Sequence, residues 1–138
     1  MNISPLSRLL PEVTQFLNNN SFPGFVGGKD YPAATGELIA TIDPGSGNKI
    51  ADIHDLAAAE VDHAVDIANL AFPAWSTLSQ ADRGAVLLRL ADAVEQRKPI
   101  IAQIEALEAG KIEAQAEGDV QNFVDTLRYF VQLAEGVE

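Results

Sequence analysis

Ala71-Phe72-Pro73-Ala74-Trp75-Ser76, followed by Leu78-Ser79-Gln80-Ala81-Asp82-Arg83-Gly84 and Leu87-Leu88-Arg89-Leu90-Ala91-Asp92, is the stretch that decides how this chain folds. Pro73 predicts the end of one helix, because a proline disfavours helical geometry in the residue before it. Ser79 with Asp82 three residues on forms a capping-box pattern with Asp in the place of Glu, which predicts the start of the next. Leu87, Leu88, Ala91 and Val94 then recur at helical spacing as an apolar face, and Arg97-Lys98 suits a helix C-terminus.

The same texture continues on both sides. Upstream, Val61, Val65, Ala68 and Phe72 fall at helical spacing, with Glu60 in the first turn, where the helix dipole favours negative charge. Downstream, Pro99 opens a helix with the stripe Ile100, Ile101, Ile104 and Leu107, and Gly110 stops it. Asp119 is placed to cap a last helix carrying Phe123, Leu127, Phe130, Val131 and Ala134. Helices are thus predicted over 58–72, 79–98 and 119–136, with a further one between the last two.

Before Asp55 the pattern is that of strands. Phe25 to Tyr31 reads as a strand interrupted at Gly27-Gly28. Glu37 to Ile42 is a second, ended by the turn signals of Asp43-Pro44-Gly45-Ser46-Gly47-Asn48, and Lys49 to Ile53 a third. Short connections favour antiparallel pairing, so a hairpin or meander is expected. Residues 1–23 read as an N-terminal arm, with Pro11 in the first turn of a short helix bearing Val13, Phe16 and Leu17. The expected fold is therefore α+β: an arm over 1–23, then one domain over 24–138, with strands in 24–54 and helices in 55–138.

Composition narrows the function. The chain has 138 residues, 47% of them apolar and 21% charged, enough to build a core. Its net charge of −11 repels phosphate backbones and anionic lipid, so neither nucleic acid nor a membrane is an expected partner. No apolar run approaches the ~20 residues of a membrane span. Pro5 and Pro11 interrupt Leu6, Leu9 and Leu10, and Glu12 follows, a poor match to a signal peptide or presequence. A cytoplasmic location is the expectation. The chain contains no cysteine, which excludes disulfides, thiolate metal sites and a thiol nucleophile within it.

Few groupings could carry chemistry. Gly45-Ser46-Gly47 lacks the third glycine of a dinucleotide fingerprint and is followed by a strand, so it reads as a turn. Gly24, Gly27 and Gly28 lie within strand texture and fail the same test. His54 and His63 are near Asp52, Asp55, Asp62 and Asp66, but a strand end and a helix face do not make a zinc site. Glu105, Glu108, Glu113 and Glu117 read as a solvated acidic face, because nothing marks a pocket or a raised pKa among them.

The Ala71–Asp92 stretch, with Asp43-Pro44-Gly45-Ser46-Gly47-Asn48 upstream and Gly110-Lys111 and Leu127-Arg128-Tyr129-Phe130 downstream, resembles the N-terminal region of the aldehyde dehydrogenase superfamily. The resemblance implies a β-hairpin followed by several helices that pack on a dinucleotide-binding domain, and it covers about the first quarter of a typical member. It implies NAD or NADP as the cofactor of the complete enzyme. The oxyanion-hole asparagine, the cofactor strands, the glutamate base and the cysteine all fall outside this chain. No catalytic or cofactor-binding residue is therefore expected here, and the fold is expected to be partial, lacking a complete dinucleotide-binding domain. The resemblance also implies a monovalent-cation site, with backbone oxygens at Thr41 and Ile42 and the carboxylate of Glu108 as its positions, although Glu108 replaces the usual Asp. Two functions follow as expectations. One is the scaffold portion of an NAD(P)-dependent aldehyde oxidation, inactive on its own and packed on the missing nucleotide-binding domain. The other is a non-catalytic module that self-associates or binds a full-length relative.

Overall fold

The computed structural model describes residues 9–135; Pro5, Leu6 and Arg8 of the expected arm and the last expected helical residue, 136, lie outside that range. The order is α1 (Pro11–Leu17), β1 (Ser21–Phe22), β2 (Gly24–Val26), β3 (Lys29–Tyr31), β4 (Leu38–Ile42), β5 (Lys49–His54), α2 (Ala58–Ser76), α3 (Gln80–Gln96), α4 (Lys98–Ala109) and α5 (Glu113–Glu135). This is the expected α+β class. The chain divides into a strand unit, Gln15–Thr77, and a helical unit of Leu78 onward with the described residues up to Thr14.

In the strand unit β4 and β5 form the expected antiparallel hairpin, from Leu38↔His54 to Ile42↔Lys49, with an irregularity between Thr41 and Ile42. Two features differ from expectation. Phe25 to Tyr31 is not one interrupted strand: β2 and β3 pair antiparallel, Gly24↔Tyr31 to Val26↔Lys29. Gly27 and Gly28 have φ of 60° and 82°. Positive φ at both central residues suits the two-residue hairpin turn that matches strand twist, and glycine adopts it without steric cost. The second difference is β1, which pairs parallel to β5 (Ser21↔Asp52, Phe22↔Ile53) and gives the order β1-β5-β4. A two-residue strand is too short to show any periodicity. The Phe22 ring stacks on Phe16 of α1, with centroids 4.6 Å apart.

Helix α2 runs through Pro73 to Ser76, four residues past its expected end. The missing N–H at Pro73 removes one helical hydrogen bond. Only one turn follows, and it is closed by donors to the Pro73 carbonyl: Thr77 N–H at 3.2 Å, Ser76 Oγ at 3.2 Å and Thr77 Oγ1 at 3.0 Å. At the other end, Glu60 accepts from Ala57 N–H at 2.6 Å. Ala57 has no side-chain oxygen to return the bond, so only the glutamate half of a capping box exists.

The helical unit follows its local signals more closely. Ser79 Oγ caps α3 by accepting from Asp82 N–H at 3.1 Å. Pro99 stands in the first turn of α4, and Gly110, with φ of 67°, ends it. The last helix, however, starts at Glu113 instead of at Asp119. The Ile112 carbonyl accepts from Gln115 and Ala116 N–H at 2.8 and 3.2 Å, which nucleates the helix a turn and a half earlier. Asp119 lies inside it. Gly118 costs about 1 kcal/mol there relative to alanine without breaking the run.

The core of this unit is made of small residues. Ala102, Ala116 and Val120 are buried together, with Val94, Ile101 and Ala106 against them. Gly84, Ala91, Leu107, Val124 and Val131 are buried as well. Leu88, expected on the α3 core face, is 37% exposed. At 100° per residue it lies about 40° round the helix from Gly84 and about 60° from Ala91, on the margin of the seam.

Candidate functional site

Thr41 and Ile42 end β4, where the ladder becomes irregular, and lead into the turn that Asp43 closes. The Asp43 carboxylate accepts from Gly45 N–H at 2.9 Å and from Ser46 Oγ at 2.5 Å. The Ser46 hydroxyl first, then the Gly45 amide, holds this carboxyl below its ordinary value. Gly47 N–H donates to the Asp43 carbonyl at 2.8 Å. Glu108 is the residue before last in α4 and is exposed. Thr41 and Ile42 thus belong to the strand unit and Glu108 to the helical unit.

The glycine clusters do not fit the phosphates of a dinucleotide. Gly45-Ser46-Gly47 wraps a carboxylate that already takes its donors and would repel an anion. Gly27-Gly28 is a hairpin turn. The one strand-to-helix junction of the strand unit, β5 to α2, presents the Glu60 carboxylate at the helix N-terminus, again the wrong sign for phosphate.

The histidines are engaged separately. His54 contacts Ser21 and the Ala33 amide, while the His63 ring stacks on Tyr31 at 5.5 Å. Among the described residues, no group of three or more His, Cys, Asp or Glu is arranged to hold a metal ion.

Of the expected acidic face, Glu108, Glu113 and Glu117 are exposed, while Glu105 enters an ion pair. Lys111 Nζ meets Glu105 at 2.5 Å and Asp119 at 2.8 Å, and these two partners raise its pKa, Asp119 foremost. Arg128 joins Glu95 at 2.7 Å and Asp92 at 2.8 Å. Arg128 in turn depresses the Glu95 carboxyl. Gln103 donates to Glu113 at 2.9 Å and accepts from Leu10 N–H at 2.7 Å, tying the N-terminal segment to the helices. Between the helices lies an open hollow of about 400 Å³ lined by Val94, Ile101, Glu105, Asp119, Val120 and Phe123. Lys111 pairs with both carboxylates on its rim, which leaves one net negative charge above an apolar floor. Gln103 and Arg128 act across the sequence and carry no local signal.

What the fold does present is apolar surface. The expected α2 stripe is exposed at Val61, Val65 and Phe72, and Trp75 extends it; Leu70, exposed as well, lies on the opposite side of the helix. Helix α5 buries one apolar stripe, Ala116, Val120, Val124 and Val131, and carries partly exposed apolar residues along its flank: Phe123, which lines the hollow, then Phe130, 57% exposed, and Leu133. Of the stripe expected on α5, only Val131 is in the core. Tyr129 packs edge-on against Phe130 at 5.3 Å, and it too is exposed. No helix among the described residues is long and apolar enough to cross a membrane.

Comparison with known proteins gives these surfaces a context. The betaine aldehyde dehydrogenase of Vibrio vulnificus (strain CMCP6) is 32% identical over 114 residues, 82% of this chain and 24% of the relative. Retinal dehydrogenase 2 of Taeniopygia guttata is 32% identical over 133 residues, 94% of this chain and 26% of the relative. An aldehyde dehydrogenase from Bacillus cereus, solved in complex with NAD+, superposes with a TM-score of 0.85 at 30% identity, covering 91% of this chain and 26% of that one. The chain therefore spans about a quarter of the length of the relatives it matches. The sequence model of the aldehyde dehydrogenase family matches residues 31–138, and the chain belongs to that family.

Proposed function

We propose that this chain is the N-terminal scaffold portion of an NAD(P)-dependent aldehyde oxidation, and that alone it neither binds the cofactor nor turns over aldehyde. The observation that carries the reading is the exposed flank Phe130 and Leu133, with Phe123 beside it, on a helix whose inner stripe is already packed. An apolar band wider than the face a helix buries is built to take further cover. In this reading the remaining three quarters of the enzyme cover it and supply the nucleophile, the base and the hydride acceptor. Thiol-dependent oxidation needs all three, and the chain has neither a cysteine nor a glycine loop that fits a dinucleotide.

The test is an assay of the purified chain with aldehyde and NAD or NADP, freed of host dehydrogenases, alongside calorimetry with each cofactor. No NADH or NADPH formation and no heat of cofactor binding are expected. Saturable binding or turnover would overturn the reading. A monovalent cation at Thr41, Ile42 and Glu108 belongs to the same proposal as a property of the complete enzyme. Hard cations want about six oxygens, so swapping sodium for potassium should leave the melting of this chain unchanged.

The exposed α2 and α5 faces also favour a second reading, a non-catalytic module that associates with itself or with a full-length relative. Sedimentation separates them: a discrete, reversible dimer supports the module, and open-ended association supports a scaffold missing its cover.

A further inference from the structure

Two consecutive amides in the loop between β3 and β4 are held by two different titratable side chains. Ala33 N–H donates to His54 Nδ1 at 3.0 Å, and Ala34 N–H donates to Glu60 Oε1 at 2.5 Å. The acceptors come from separate elements, the end of β5 and the first turn of α2. A main-chain N–H can only donate, so Nδ1 must present its lone pair, and the imidazole is neutral with its proton on Nε2. That N–H faces Ser21 Oγ at 3.3 Å, which links the same ring to β1. Glu60 uses its two oxygens on two amides, Oε1 on Ala34 and Oε2 on Ala57. A proton on Glu60 removes its negative charge from both amides and weakens the acceptor oxygen that it occupies. Each tether is therefore at full strength in one protonation state only.

The other charged groups of this unit are engaged elsewhere or lie off the two tethers. Strands β1, β2 and β4 carry no titratable side chain. On β5, Lys49 and Asp52 pair with each other at 2.6 Å. On β3, Tyr31 stacks on His63 of α2, and Lys29 and Asp30 sit toward the hairpin turn. Glu37 and Asp55 flank the loop and are joined through their main chains. Asp62 and Asp66 are exposed on α2.

We propose that residues 32–36 form an acid-released latch, closed while His54 is neutral and Glu60 is ionised, and opened one amide at a time as each side chain takes up a proton. Opening at His54 frees Ala33, which is 8% exposed when closed, and loosens β1 through Ser21. Opening at Glu60 detaches the loop from the start of α2.

The test is NMR of the full chain across a pH titration. At neutral pH the His54 ring nitrogens should report an unprotonated Nδ1 and a protonated Nε2. The Ala33 amide shift should move with the His54 ring and the Ala34 amide shift with the Glu60 carboxyl. Exchange of each amide, corrected for intrinsic pH dependence, should rise at least about tenfold on protonation of its partner, the size of a 1.4 kcal/mol loss of protection. His54→Gln should abolish the Ala33 inflection and keep that of Ala34; Glu60→Gln should do the reverse. A protonated Nδ1 at neutral pH, or an inflection that persists after its partner is replaced, would overturn the latch. Should either variant fail to fold, the ring tautomer and the paired titrations in the parent chain decide alone.

Discussion

Gly84 of α3 and Val131 of α5 approach so closely that a methyl group on residue 84 would lie 3.0 Å from Val131 Cγ1. Val131 is buried and β-branched, so it has little freedom to move aside. Gly84→Ala therefore sets a helix-propensity gain of about 1 kcal/mol against an overpacking cost of about 1–3 kcal/mol. The expected net effect is a loss between zero and about 2 kcal/mol, read from denaturant midpoints. Gly84→Leu should abolish the α3–α5 contact, and a stable Leu variant would show that the two helices can separate freely.

The cost of emptying a side chain should follow the seam and ignore hydrophobicity as such. Val124 is fully buried, and Val124→Ala should cost about 2 kcal/mol. Leu88 stands on the seam's margin, and Leu88→Ala should cost less than about 1 kcal/mol despite removing a larger group. Chemical denaturation of the two variants side by side gives the ranking; the reverse order would place Leu88 in the core.

How much of this was legible from sequence depends on the range of the cause. Ser79, Pro99 and Gly110 act within one turn of themselves, and each marked a helix end correctly. Pro73 and Asp119 carry equally strong local signals and misled. Hydroxyl donors at Ser76 and Thr77 close the turn after Pro73, and the Ile112 carbonyl starts α5 before Asp119 can cap anything. The periodicities of α2, α3 and α5 located helices, but which side each would bury was not written in them. That is decided by partners far along the chain, as Gly84 and Val131 are for α3. The cation positions Thr41, Ile42 and Glu108 came from resemblance alone, and the Gln103 tethers and the Glu60–Ala34 bond, each made with distant residues, had no local trace.

Acid should weaken the strand unit through Glu60. The amides of Ala34, first, and of Ala57 hold its carboxyl below the ordinary value of 4.5. A depressed carboxyl contributes stability that is fully present above its unfolded value and is lost as pH falls through the folded one. Melting temperature should thus decline below about pH 4.5, and Glu60→Gln should lower it at pH 7 while flattening the acid limb. A variant with the parent's full acid dependence would assign that dependence to other carboxylates.

Association should be removable without touching the fold. Tyr129 and Phe130 are exposed on α5 and line no part of the hollow, so replacing both with serine takes apolar surface off the exterior and leaves the α3–α5 seam intact. Dye binding and sedimentation should shift toward a dye-silent monomer, with the denaturation midpoint within about 1 kcal/mol of the parent. A collapse in stability would mean that these rings are structural.

The alanine-rich seam also has a calorimetric consequence. Heat capacity on unfolding scales with the apolar area that leaves the interior for water. Here the interior holds Ala91, Ala102, Ala116, a few valines and Leu107, while Phe72, Phe123, Phe130 and Leu133 already touch solvent in the native state. Melting therefore uncovers little new oily surface, and the heat-absorption peak will be low and broad for a chain of this length. Enthalpy will change gently with temperature, the stability curve will be shallow, and cooling will erode the fold less than it would a leucine-filled core.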